Sequence, residues 1–337
     1  MTRSGKLLGA ALLATVAACG GGGGSESVTV VTGATPTPTA TASPGPSPTG
    51  TPTPSGGVLP AALAALYSVQ PDVAGCRAGS LTASAKADVL ARLNAIRALH
   101  RLPAVTYSEA DDAQTAESSL MMVANNQLSH TPGANWLCYT AAGAAGAGSG
   151  NLFSSTSSAG FTDDQYLGGW LTEGGSAKLG HRRWMLDPFL GRTSYGRVST
   201  RLADGRISDA ATLKVFDFTG GTVTPSGLPG FVAYPFGDYP ARYADAGAFL
   251  SFSVVGGAGG RTASSGVRFT NARIAVTTGN TGMTVSDVTH DNDGYGLPNN
   301  LQWRVAGLQP GVTYTVQITG VTGAPQAEYS YTFRIVS

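Results

Sequence analysis

The chain has 337 residues, room for two domains and a sizeable core. Only 12% of the residues are charged and the formal net charge is +1, so no basic field argues for nucleic acid or an anionic membrane surface as a partner. Forty-seven glycines, with many Ala, Ser and Thr, take the place of the charges, as suits an exported protein with many β-turns.

The N-terminus has the pattern of an export signal. Arg3 and Lys6 precede an apolar run, Leu7 to Val16, too short to span a bilayer as a helix. It ends in Val16-Ala17-Ala18-Cys19, which resembles a bacterial lipobox. In that reading residues 1–18 are a lipoprotein signal peptide and Cys19 receives lipid after cleavage. The alternative is ordinary cleavage beside a stray cysteine. The expected location is the bacterial cell envelope, with the protein held to a membrane by its lipid. Gly20 lacks the Asp that favours inner-membrane retention in enteric-type bacteria, which points to an outer-membrane surface. Residues 19–57 hold five glycines and then a Thr/Pro tract. Such a tract forms no core and favours extended polyproline II. At about 3.1 Å per residue this stalk reaches on the order of 100 Å. With Cys19 lipidated, Cys76 and Cys138 remain. In an oxidising space they form a disulfide closing a loop of roughly 60 residues, or stay as two separate buried thiols.

Residues 58–221 read as the first folded unit. LPAALAALYSVQ is a short helix or an apolar lead-in. In 84–100, Val89, Leu90, Leu93, Ile96 and Leu99 recur at helical spacing, with Ser84 as cap. Ser108-Glu-Ala-Asp111 resembles a capping box opening a second helix that runs to about Leu128. TAAGAAGAGSGN reads as a loop. Thr162-Asp-Asp-Gln165 is a third N-cap, and TSYGRVS and TLKVFDF read as strands. Residues 222–337 form a second unit. A Pro/Gly-rich crossing leads into six short strands separated by turns, which suggests a β-sandwich. Each unit is expected to hold its own apolar set, so residues 58–222 should fold alone. Asp291-Asn292-Asp293-Gly294 carries calcium-type oxygens but lacks the rest of a known loop, and reads as a turn.

Several motifs of the first unit are linked in order. They are Asn94-x-x-Arg97 with Leu102-Pro103, Leu128-Ser129-His130, GSGNL, Trp170-x-x-Glu173, and Gly180-His181-Arg182-Arg183-Trp184-x-Leu186-x-Pro188 before Tyr195-Gly196. Together they resemble the CAP superfamily, the cysteine-rich secretory, antigen-five and pathogenesis-related proteins, over about residues 84–220. The resemblance implies an α+β fold: a CAP-type α-β-α sandwich, followed here by the all-β unit. In that unit Leu308-x-Pro310-Gly311-x-x-Tyr314 resembles the tyrosine corner of immunoglobulin and fibronectin type III domains, in which a buried Tyr hydroxyl bonds backbone.

The resemblance implies that His130 and His181 face each other across an open cleft, where the family also places two glutamates. Neutral imidazoles there hold a divalent metal, often zinc, with water on the open positions. Asn151, Trp170, Arg182 and Arg183 support the cleft. One arginine should pair with a carboxylate or cap carbonyls while the other faces solvent. His100 and His290 fall outside the pattern and read as surface or loop residues. The family's Gly-Glu-Asn glutamate is missing, because Gly150 or Ser149 takes its place depending on the alignment; nothing in the spacing makes Asp163 or Asp164 its substitute. Glu173 remains as the one candidate to assist a water. Two histidines without that glutamate make a weak zinc site.

Three functions compete. The first is a tethered binding protein for an envelope, lipid or host ligand. The second is a metal-assisted, peptidase-like hydrolase. The third is a structural envelope protein with an idle cleft. The absence of a Ser nucleophile motif or HExxH, and of one carboxylate, favours binding over enzymatic activity.

Overall fold

The computed structural model describes residues 54–174, 176–218, 227–256 and 260–337. The signal peptide, the lipidation of Cys19 and all but the last residues of the stalk lie outside the described residues.

The first unit carries helices α1 (Ala61–Ala64), α2 (Ala83–Leu99), α3 (Asp112–Asn125), α4 (Ala141–Ser149), α5 (Asp163–Thr172) and α6 (Gly180–Met185). Its antiparallel sheet runs in the order Pro54–Gly57, Tyr195–Leu202, Ile207–Lys214, Gly150–Ser157. Side chains alternate across this sheet. Leu152, Val198 and Ala210 pack on one face with Leu120, Met122 and Val123 of α3. Phe153, Tyr195, Ala211 and Leu213 pack on the other with Leu93 and Ile96 of α2 and Leu167 and Trp170 of α5. Helices on both faces make this the expected α-β-α sandwich.

Local details differ from the sequence reading. The cap of α2 is Thr82, not Ser84; its hydroxyl accepts from the Ala85 N–H at 3.1 Å. Ser108–Asp111 is not a capping box: Ser108 Oγ donates to Asp111 Oδ2 at 2.6 Å and a 3-10 turn precedes α3. The helix α3 stops at Asn125, before a left-handed Asn126, so His130 lies five residues beyond its end. The glycine-rich stretch expected as a loop is largely the helix α4, capped by the Thr140 hydroxyl. Glycine weakens a helix, but here it permits close packing. A Cβ at Gly146 would sit 2.1 Å from Gln114 O of α3. The Thr162/Gln165 capping box forms as expected. Cys76 and Cys138 are bridged, with Cα atoms 5.2 Å apart, tying the chain before α2 to the chain after α3.

The second unit is an all-β sandwich. One sheet runs Gly237–Pro240, Tyr329–Val336, Thr313–Thr319, Arg273–Thr278, Thr281–Gly282; the other runs Val285–Asp291, Asn300–Val305, Leu250–Val254, Phe231–Tyr234. Phe252, Trp303, Val316 and Phe333 fill the space between them. The described part of the Pro/Gly-rich crossing supplies one strand to each sheet. Tyr314 is buried and accepts from the Gln309 N–H at 2.8 Å, the expected corner. Asp291 ends the strand Val285–Asp291 and Asp293 lies in the bend after it, and their carboxylates pair with Arg183 and Lys178.

The expectation that each unit holds its own apolar set is met by the core between the two sheets of the sandwich, but the units also share a third cluster. Val232, Tyr234, Tyr239, Tyr243 and Leu297 of the second unit belong to one continuous cluster with Leu93, Trp170 and Trp184 of the first. His100 is also corrected: it is buried at this seam. Its Nδ1 lies 2.7 Å from Ala233 O and its Nε2 3.1 Å from the Tyr239 hydroxyl. Burial lowers its pKa to about 3. His290 is exposed, on an outer strand.

Candidate functional site

The stretch Leu179–Pro188 is buried at every residue. It is built around α6, which starts from a left-handed Leu179 (φ 53°). Three parts of the chain converge on it. The first is Glu173, at the end of α5 with a left-handed backbone (φ 50°). Its Oε1 accepts from the His181 backbone N–H at 3.1 Å and lies 3.0 Å from His181 Nδ1. Its Oε2 accepts from the Arg182 N–H at 3.0 Å. The second is the segment 147–151. Ala147 O lies 2.8 Å from His130 Nδ1, and Asn151 Nδ2 donates to His181 O at 2.9 Å. The third is Arg97 of α2, which donates to Pro103 O, Met185 O and Asp187 O. Burial lowers the pKa of Arg97 to about 10, against the pull of Asp187.

His130 and His181 are brought together, with ring centroids 6.4 Å apart and planes tilted by 34°. The partners fix the tautomers. A carbonyl can only accept, so the neutral His130 ring carries its proton on Nδ1. The carboxylate of Glu173 imposes the same form on His181. The Nε2 of His181 is buried without a hydrogen-bond partner among the described residues. The pair therefore exists, but the cleft is less open than the resemblance implies. His181 is fully buried, and only the half-buried His130 borders solvent.

Glu173 is not placed to assist a water. Its side chain is fully buried and both oxygens accept from His181 and Arg182, so it orients the imidazole. The missing glutamate cannot be restored at Gly150 without movement, since a Cβ there would lie 2.7 Å from Thr212 Cγ2 and 2.9 Å from Gly146 O. Ser149 donates to Ala145 O. Asp163 pairs with Arg197, and Asp164 pairs with Arg92 and accepts from the Tyr243 hydroxyl, so neither substitutes. Trp170 is a packing residue whose indole N–H donates to Leu152 O.

The two arginines are both buried, so neither faces solvent. Arg182 caps carbonyls. It donates to Leu171 O (2.6 Å), Thr172 O (2.8 Å) and, across the seam, Phe249 O (2.7 Å) and Ser251 Oγ (3.2 Å), and it lies 3.8 Å over the Tyr234 ring. Arg183 donates to both oxygens of Asp291, at 2.9 and 3.1 Å. Burial lowers the pKa of both. Arg261, from the second unit, sits 2.9 Å from Asp187 and over the Trp184 ring. Burial raises the pKa of Asp187, and Arg261 opposes the rise. Sequence reading gave no role to Asp187 or Arg261; it placed Arg97 in a motif and Asp291 in a turn without a partner for either. The available signal was a set of charges inside otherwise apolar stretches.

Among the described residues, no group of three or more His, Cys, Asp or Glu side chains is gathered to hold a metal. The pair supplies at most two imidazole ligands, short of the four protein ligands of a closed structural zinc site.

A comparison with curated proteins finds none that matches. A comparison with protein families matches residues 90–201 to the CAP family, described as the cysteine-rich secretory protein family. The matched span holds both histidines, Asn151, Trp170, Glu173 and the paired arginines. Over residues 90–201, with helices on both faces of the sheet and the histidine pair in place, the chain carries a domain that matches the CAP family.

Proposed function

We propose that the chain is an exported, lipid-anchored binding protein of the bacterial cell envelope that engages an envelope, lipid or host ligand through its histidine pair. The lipobox-like Val16–Cys19 and the stalk support the anchoring. The observation that carries the reading is the buried, unpartnered Nε2 of His181, whose ring centroid lies 6.4 Å from that of His130. Such an acceptor is costly unless something pairs with it. A weakly held zinc ion suits the two nitrogens and would supply a Lewis acid there. Hydrolysis is disfavoured, because Glu173 is spent on His181 and Arg182 while Gly150 stands in the other carboxylate's place.

Zinc titration by calorimetry tests the pair. Saturable binding that is lost in both His130→Ala and His181→Ala is expected. Binding that survives either change sinks the site, and a chelator that unfolds the protein would point to a structural metal instead. A broad hydrolysis screen with zinc present should find no turnover that depends on His181. Cys19→Ser should abolish lipid labelling and release the protein from membranes; retention at the wild-type level removes the anchoring reading.

A further inference from the structure

We propose that the C-terminal sandwich is a positioning domain for His181 and that Arg182 is the residue through which it acts. The inference deepens the reading of the histidine pair as the functional site, and it rests on that reading for its purpose.

Arg182 bonds both the sandwich and the support of His181. On the first side, its guanidinium holds Leu171 O and Thr172 O, the last two carbonyls of α5. Those residues lead directly into Glu173, whose carboxylate takes both the Arg182 N–H and His181 Nδ1. On the other side, the same guanidinium holds Phe249 O and Ser251 Oγ at the start of the strand Leu250–Val254, and its flat face rests on Tyr234 of the neighbouring strand. A planar five-donor group can bind four acceptors in fixed directions, which a flexible ammonium cannot reproduce. The route from sandwich to imidazole is thus Ser251 and Phe249 to Arg182, to the end of α5, to Glu173, to His181. Every contact in it is buried or nearly so, where hydrogen bonds are strong and their loss is costly. Two further contacts brace the same loop. Gln302 donates to Ala177 O, and Lys178 pairs with Asp293, both at 2.7–2.8 Å. Removing the sandwich side of Arg182 frees the end of α5. Glu173 then no longer imposes the Nδ1–H form, and the Nε2 lone pair of His181 loses its aim.

The test uses the full chain labelled with 15N at histidine. The chain has four histidines, so ring signals can be assigned by substitution, and their shifts report which nitrogen carries the proton. Wild type should show His181 as the Nδ1–H form. In Arg182→Lys those signals should move towards the Nε2–H form or split, while those of the exposed His290 stay in place. Zinc affinity should fall by about 10- to 100-fold, the usual effect of disturbing a residue that orients a ligand. Ser251→Ala should move the His181 signals in the same direction by less. A folded Arg182→Lys protein with wild-type His181 signals would overturn the proposal. Should Arg182→Lys fail to fold, Ser251→Ala and Tyr234→Leu decide: displaced His181 signals support the proposal, and wild-type signals in both overturn it. The tautomer readout needs no metal. A wild-type protein that binds no zinc therefore fails the metal reading alone.

Discussion

Glu173 adopts a left-handed backbone at a position where helices commonly end in glycine. Strain of order 1–3 kcal/mol is kept there because this geometry delivers both carboxylate oxygens to the start of α6. Glu173→Gln replaces one acceptor by a donor facing an N–H. Charge-assisted bonds of this type contribute about 1.5–3 kcal/mol each, so chemical denaturation should show a loss of about 2 kcal/mol or more, with weaker zinc binding. An unchanged midpoint would mean that the carboxylate does not hold α6. His100 makes a second prediction, in pH. Its pKa in the folded protein is about 3, below the value near 6.5 of an unfolded chain. Between those values the unfolded state binds a proton that the folded state refuses. Stability is therefore full above about pH 6.5 and declines by up to about 1.4 kcal/mol per pH unit on acidification, as His100 is held neutral. Stability measured at pH 7 and pH 5 in wild type and His100→Gln should give a flatter profile in the variant, at a cost in overall stability.

At the scale of elements, α4 connects packing to the site. Its Ala147 carbonyl holds His130, and its Gly146 lies against the backbone of α3. Gly146→Ala forces the two helices apart; overpacking of this kind costs typically 1–3 kcal/mol. A lower melting temperature is expected together with a shifted His130 ring signal, and a change in neither would show that the helices can separate freely. The disulfide belongs to the same scale. Closing 62 residues of sequence separation contributes about 4 kcal/mol in the chain-entropy model. A Cys76→Ser/Cys138→Ser protein should lose about 2–4 kcal/mol. The α2 helix is legible in the sequence because Val89, Leu93 and Ile96 mark one face, and all three are buried. The α4 helix is not, because Ala and Gly show no apolar-polar contrast from which to read a period. The histidine pair is legible through the spacing of its motifs. The burial of His100 is not, since it comes from Ala233 and Tyr239, 133 and 139 residues away. The loss of Glu173 as a free base is hidden for a related reason: a motif gives the residue, while its hydrogen-bond partners decide what is left for it to do.

For the whole molecule, the junction behaves as interior. Arg182, Arg183 and Asp187 are buried by both units, and removing one partner of such a buried charge is strongly destabilising, by about 3–5 kcal/mol. A fragment of residues 58–222 would expose these charges and the apolar residues of the first unit that pack on Tyr234, Tyr239 and Tyr243. It should melt broadly or far below the full chain in calorimetry. A sharp transition at the full-chain temperature would show the seam to be dispensable.

The seam also sets an order in time. Arg183 meets Asp291 across 108 residues, and Ala177 meets Gln302 across 125. Chains are synthesised at about 5–20 residues per second, so roughly 6–25 seconds separate the appearance of Ala177 from that of its partner. For much of that interval the buried arginines lack sandwich acceptors, since Phe249 and Ser251 follow Arg182 by 67 and 69 residues and Asp291 follows Arg183 by 108. A chain stalled before the strand Asn300–Val305 would hold both histidines and Glu173, yet lack a finished seat for them.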